Sequence, residues 1–267
     1  MGFYAAESLP YCGAPPNPAD LWGRWNLDPA LIAALVVLLG LYLVGAAREQ
    51  AWRRRCFFAG WSIGVLALVG PLCALSVSLF SARVAQHMIL ILSAAPLVSL
   101  GRPMAATLQA LRLPTPRPID RSLPAAIGFT IALWFWHAPY PYAATFLSTP
   151  VYWTMHLTLI GAAIWLWSEI LNSRASFARA GAATLSMIQM GFLGALITLA
   201  ERAAYAPHAL TTAAWSLTPL EDQQLGGAIM WAPGTALFLA VGAAMAWRLL
   251  QPRVKALSGV QASELIP

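Results

Sequence analysis

The chain has 267 residues, 59% of them hydrophobic and 10% charged, with 12 tryptophans, a formal net charge of +6 and a mean hydropathy of +0.65. Soluble domains carry about 25% charged residues, so this composition excludes a soluble globular protein and describes an integral membrane one. The positive charge falls in short clusters between apolar runs, which positive-inside topology explains without any nucleic-acid partner.

Residues 1–28, rich in Pro, Asn and Gly, lack a basic start followed by an apolar core. They read as a retained periplasmic segment and not as a cleaved signal peptide. Beyond them, apolar stretches of about 20 residues, enough to cross about 30 Å of hydrocarbon, start near Pro29, Cys56, Ala82, Ser122, Pro150, Gly181 and Leu225. These runs are continuously apolar instead of alternating, so they predict helices, not barrel strands. The expected fold is all-α, a polytopic transmembrane bundle of about seven helices over residues 29–250, followed by a cytoplasmic tail, 251–267. No internal repeat, long linker or low-complexity tract argues for a second domain.

Lys and Arg set the orientation. Arg48 and Arg53–Arg55 follow the first span; Arg102, Arg112, Arg117 and Arg121 the third; Arg174 and Arg179 the fifth; Arg248, Arg253 and Lys255 the last. Of the 16 basic residues only Arg24, Arg83 and Arg202 fall on the other side. The N-terminus is therefore expected outside and the C-terminus inside.

On that topology all four histidines lie toward the outer side. His87 sits about one turn into the third span and His156 at a similar depth in the fifth. His137 ends the fourth span, just before Pro139 and Pro141, and His208 occupies the outer loop after the sixth. A single interfacial His usually bonds a carbonyl or water. Three at one level point to a metal or haem site, because neutral imidazole is the commonest metal ligand. Met88 and Met155 adjoin His87 and His156, and Met230 lies at the same level; soft sulfur beside imidazole favours Cu(I), with zinc as an alternative. Methionine is also common core packing, which makes these second-tier candidates. Cys12 and Cys73 both fall on the outer side and are read as a disulfide, a Cu(I)-binding thiolate pair or two unrelated thiols. Asp222, at the outer mouth of the last helix, is expected either as a helix cap or as a group orienting a metal-bound imidazole. Glu201 could act similarly or pair with Arg202 or Arg83.

The stretches QHM (86–88), WHAP (136–139), HLTLIG (156–161) and SLTPLEDQQLGGAIMWAPG (216–234) together resemble the seven-span CtaG family of membrane cytochrome c oxidase assembly factors, from about the second span to the last. That name is shared with an unrelated single-span periplasmic copper chaperone. The resemblance implies a bundle of seven helices in a bacterial inner membrane that supports assembly of a haem-copper oxidase, with copper delivery as the proposed role. It implies as partners the oxidase subunits, membrane lipid and a periplasmic copper chaperone. Carried over, the matching positions are His87, Met88, His137, His156 and Asp222. One departure stands out: the family pattern often reads Ser-x-His-Met-x-Gln-His-Met where this chain has SARVAQHM. Arg83 and Val84 thus replace a His and a Met, which leaves Cys12 or Cys73 to compensate or Arg83 to attract an acidic partner.

The reading that follows is an assembly factor that holds Cu(I) at a His/Met site near the periplasmic face. A bis-His haem protein and a metal-free scaffold are the alternatives. A permease would need polar groups at the midplane, where little beyond Gln189 and Met190 is found. No nucleophile stands with a base or two acids at matched depth, so an enzyme is not expected.

Overall fold

The computed structural model describes residues 9–114, 119–171 and 176–264. Arg117 and Arg174 lie outside them, as do the side chains of Arg48, Arg253 and Lys255. Every regular element among the described residues is a helix, with no strand. In chain order the helices are α1 (Pro29–Gly45), α2 (Ala51–Val69), α3 (Pro71–Ser78), α4 (Phe80–Leu100), α5 (Pro103–Ala110), α6 (Ser122–His137), α7 (Pro139–Leu147), α8 (Thr149–Leu171), α9 (Phe177–Thr198) and α10 (Pro219–Glu264). A helix begins within a few residues of each of the seven expected starts; α3, α5 and α7 are additional short helices.

Among the described residues four helices are long and apolar enough to cross a membrane: α4, α8, α9 and the first part of α10, Pro219–Leu250. The pair α2 and α3 passes the same test as one span bent by 49°. The bend falls at Gly70-Pro71, where Pro71 supplies no N–H to continue the ladder. The apolar α1, at 17 residues, is about 25 Å long at the helical rise. These apolar helices make the chain a membrane protein.

Proline sets several starts by taking the first helical position, where its missing N–H costs nothing. Pro29 opens α1, with the Asp28 side chain accepting the Ala30 N–H at 3.0 Å. Pro139 opens α7 directly after α6, so the prolines that end the fourth expected span also start a short helix. Within α4 the turns from Ile89 to Ala94 are π-helical. The indole N–H of Trp167 in α8 donates to the Ile91 carbonyl there at 2.8 Å.

α4 packs against α2, α3, α8 and α10; α9 and α10 form the most extensive pair; α6 packs on both α8 and α9. The core between them holds Phe129, Leu133, Met155, Leu166, Trp167, Met190, Met230 and Phe238, all nearly inaccessible. α1 stands at the edge, touching α5 at one end and Leu68, Val69 and Leu90 at the other. Between α1, α2, α4 and α8 runs an apolar groove of about 500 Å³, lined by Leu31, Leu38, Trp61, Trp153, Ile164 and, toward one end, His156.

The two ends of the bundle differ in charge. At one, Arg53 donates to the Leu100 carbonyl at 3.0 Å, Glu49 meets Arg102 at 3.6 Å, and Asp120 meets Arg179 at 3.3 Å. At the other, the N-terminal segment, the α3–α4 junction, α7 and the loop from Leu199 to Thr218 come together, and all four histidines lie toward that end.

Candidate metal centre

His87, His137 and His156 are brought together. The His87 ring centre is 5.3 Å from that of His156 and 6.2 Å from that of His137, both edge-on, and all three rings are buried. Each comes from a different helix, α4, α6 and α8, so ordinary helix packing holds the cluster with no loop involved. The α6 and α8 members are oriented from within their own helices. His137 Nδ1 is 2.7 Å from the Leu133 carbonyl and His156 Nδ1 is 3.2 Å from the Tyr152 carbonyl. A carbonyl only accepts, so Nδ1 is the protonated nitrogen in both, and Nε2 keeps the lone pair. That arrangement fixes the tautomer and ring direction of metal-binding imidazoles in general.

The lone pair of His156 Nε2 has no partner, and neither ring nitrogen of His87 has one. Buried polar atoms are nearly always hydrogen-bonded, so three orphaned nitrogens at one level are unusual for mere core packing. Two imidazoles that share one ion at about 2 Å from each nitrogen place their ring centres no more than about 6 to 7 Å apart, and both separations fall within that limit. As they stand, however, no three His, Cys, Asp or Glu side chains among the described residues close around a point as an ion requires. Three imidazoles without a carboxylate supply too few donors for an ion that demands a full shell of oxygen ligands.

Met88, Met155 and Met230 are buried in the main core. Cys12 and Cys73 form a disulfide, so neither presents a thiolate in this oxidation state. His208 is buried apart from the three, its Nε2 at 2.6 Å from the Tyr142 hydroxyl. Burial pushes its imidazole down to about 3, which keeps the ring neutral. Glu201 and Arg202 are exposed, and no ion pair among the described residues includes either.

Arg83 is turned inward instead of toward a partner surface. Its guanidinium is 1% exposed, donates to Thr145 Oγ1 at 2.6 Å, and lies 4.1 Å over the Phe146 ring and 5.2 Å over that of Tyr142. Ring faces offset part of the cost of burying the cation. No acidic side chain among the described residues pairs with it.

Asp222 does not reach an imidazole. Its carboxylate accepts the backbone N–H of Phe80 at 2.7 Å, that of Ser81 at 3.1 Å and the Ser81 hydroxyl at 2.5 Å. It therefore caps α4 from another helix, seven residues ahead of His87. The rest of the DQQLGG stretch serves the same junction. Gln223 Oε1 accepts the Ala204 N–H at 2.6 Å and Gln224 donates to the Ala200 carbonyl at 3.1 Å. Gly226 lies against Phe80 and Ser81, and Gly227 against Thr198 and Gly194. Asp222→Ala strands two buried N–H groups, each costing about 1–3 kcal/mol. We expect its thermal unfolding in detergent to fall by several degrees, Asp222→Asn to fall less, and copper retention to suffer less in either than on loss of a histidine.

Tyr152 was not anticipated by residue type. It lies one turn ahead of His156, its ring centre 4.3 Å from the imidazole, beneath the disulfide. The spacing of four residues, which puts two side chains on one helix face, is the signal that marks it.

The family model described as cytochrome c oxidase caa3 assembly factor (Caa3_CtaG) matches residues 35–252. No curated protein and no solved structure matches the chain.

Proposed function

The chain belongs to the cytochrome c oxidase caa3 assembly factor family, and on that premise we propose that it holds Cu(I) between His87, His137 and His156 and passes it to an oxidase subunit. The observation that carries this reading is the set of three buried imidazoles from three helices, with unpartnered nitrogens on His87 and His156. Imidazole ligands without carboxylate suit copper over magnesium or calcium, and a site of few ligands releases its ion more readily than a closed tetrahedral one. The chain acts as carrier and scaffold, with no reaction of its own, and its partner is the oxidase under assembly.

In this reading α1, the bent pair α2 and α3, α4, α6, α8, α9 and α10 are seven spans of a bacterial inner membrane. The histidine end faces the periplasm and the arginine-rich end the cytoplasm, as the bias of basic residues requires. The short α1 and α6 are matched by local thinning of the bilayer or by flanking segments.

The test is elemental analysis together with an absorption spectrum, on protein purified in mild detergent under reducing conditions. We expect a colourless protein with about one copper or more per chain. A Soret band would replace the copper reading by a haem one, and absence of any metal would leave the metal-free scaffold.

A further inference from the structure

The disulfide Cys12–Cys73 closes the histidine end of the bundle above the imidazoles. Cys12 sits in a tight turn in which the Gly13 N–H donates to the Pro10 carbonyl at 2.8 Å, and Gly13 takes a left-handed φ of 88°. From this turn a continuous line of contacts leads inward. The Tyr152 hydroxyl is 3.3 Å from Cys12 Sγ and 3.8 Å from Cys73 Sγ. The Tyr152 ring lies 4.3 Å from that of His156, whose Nε2 is unpartnered. Two sulfurs, one phenol and one imidazole with a free lone pair therefore follow each other from the surface to the cluster.

The same turn forms a lid. Tyr11 stacks on Tyr152 with ring centres 4.7 Å apart, meets Trp153 edge-on at 5.1 Å, and donates its hydroxyl to Asp28 at 2.5 Å. Burial and the Asp28 carboxylate push the Tyr11 phenol up to about 12, so it remains a donor. The disulfide ties this lid to a cysteine 61 residues away. Cys73 is fully buried, whereas Cys12 is partly exposed, which leaves the Cys12 sulfur as the one a reductant can reach.

We propose that Cys12 and Cys73 are a redox-gated Cu(I) uptake site serving the three histidines, an inference that rests on the copper reading above. A dithiol reductant at the outer face gives two electrons and two protons to the S–S bond, leaving two thiols here and a disulfide on the reductant. Cu(I) then binds both sulfurs, displaces their two protons to solvent and keeps its oxidation state. Thiolates are softer than imidazole and capture Cu(I) from dilute solution. With the crosslink gone, the Tyr11 lid keeps its ring contacts and the Asp28 hydrogen bond, the Ser78 hydroxyl still holds the Pro16 carbonyl beyond it at 3.0 Å, and the ion can move past Tyr152 to His156. In the oxidised state the same two residues latch the lid and offer no ligand.

The test is an anaerobic Cu(I) titration against a chromophoric chelator. It uses full-length protein in detergent, either oxidised or first reduced by a phosphine that is then removed. The reduced wild type is expected to bind one more Cu(I) than the oxidised form, with a new ultraviolet thiolate-to-copper absorption. The Cys12→Ser/Cys73→Ser variant should gain nothing on reduction. Alkylating the reduced wild type with iodoacetamide should abolish the gain without any mutation. Cys56, the other described cysteine, is free in both states and cancels in the comparison. The variant lacking His87, His137 and His156 should keep the extra equivalent, so failure of the histidine site and failure of this proposal give different results. Equal stoichiometry in oxidised and reduced wild type, or a gain that survives in the Cys12→Ser/Cys73→Ser variant, would overturn it and leave the disulfide a structural crosslink.

Discussion

Replacing His87, His137 and His156 together by Ala should remove essentially all copper from the oxidised protein, whose Cys12–Cys73 disulfide offers no ligand, while the protein stays folded in the membrane. The two consequences separate because the imidazoles are held apart from the bonds that maintain the bundle. His137 and His156 each use one nitrogen on a carbonyl of their own helix, and His87 uses neither. Truncation opens a cavity, which is destabilising, but it also removes three orphaned buried nitrogens, whose desolvation already weighs against the fold. These effects oppose each other. Among the single variants His87→Ala should lose most, since its ring neighbours both of the others, and a tenfold weaker affinity corresponds to about 1.4 kcal/mol. The checks are copper per chain by elemental analysis, detergent extraction from washed membranes, and oxidase activity in cells carrying each variant. Wild-type copper content in the triple variant would sink the proposed site.

Gly227→Leu is expected to have the largest effect on stability of any single substitution discussed. A Cβ at Gly227 would lie 2.6 Å from the Thr198 nitrogen and 2.7 Å from the Gly194 carbonyl oxygen. The same contact seen from α9 puts a Gly194 Cβ 2.9 Å from the Trp231 nitrogen. These neighbours are backbone, so relief requires α9 and α10 to move apart. That disrupts the most extensive helix pair in the molecule, and overpacking of this kind costs about 3 kcal/mol or more. Small residues at membrane helix contacts exist to permit such approach. Gly161→Leu is the control, since nothing lies within 4 Å of its Cβ position. A melting curve by size-exclusion after heating should show Gly227→Leu far below wild type and Gly161→Leu close to it. Because Asp222 lies little more than one turn ahead of Gly227, Gly227→Leu should also loosen the cap on α4 and lower copper retention. Coincident melting of Gly227→Leu and wild type would refute the close-contact argument.

Helix starts were legible from apolar run length, because a run of about 20 apolar residues has few other fates. The meeting of His87, His137 and His156 was legible for a related reason. Rise per residue gives each a depth, alternation of the basic loops gives a common side, and buried polar groups turn inward. Depth and side carry no rotation, however, so no spacing in the sequence says whether the methionines, buried in the main core, turn toward the histidines they adjoin. Asp222 was ambiguous in principle: a carboxylate at a helix mouth can cap its own helix, orient an imidazole or, as here, cap a different helix. Only the crossing of α10 over the start of α4 decides between them. The pairing of Cys12 with Cys73 depends in the same way on where an irregular segment folds back, which periodicity does not encode. For Arg83 an acidic partner surface was one of several readings; the ring faces of Tyr142 and Phe146 make its inward position without a carboxylate tolerable.

The π-helical turn in α4 means that this helix behaves as two ordinary helices set out of phase. A π turn holds one more residue than an α turn, and one residue is worth about 100° of rotation. Residues before Ile89 and after Ala94 therefore answer to different angular origins. His87 is on the first side of that joint, while the contact with Trp167 falls within it. Deleting a single residue between Ile89 and Ala94 would let the π turn close to an α turn and leave His87 on its side, whereas the same deletion in the α-helical turns that follow has no such slack and would swing His87 about a third of a turn away from His137 and His156. The centre is therefore set by phase as much as by composition, and a change that alters no ligand could still dismantle it.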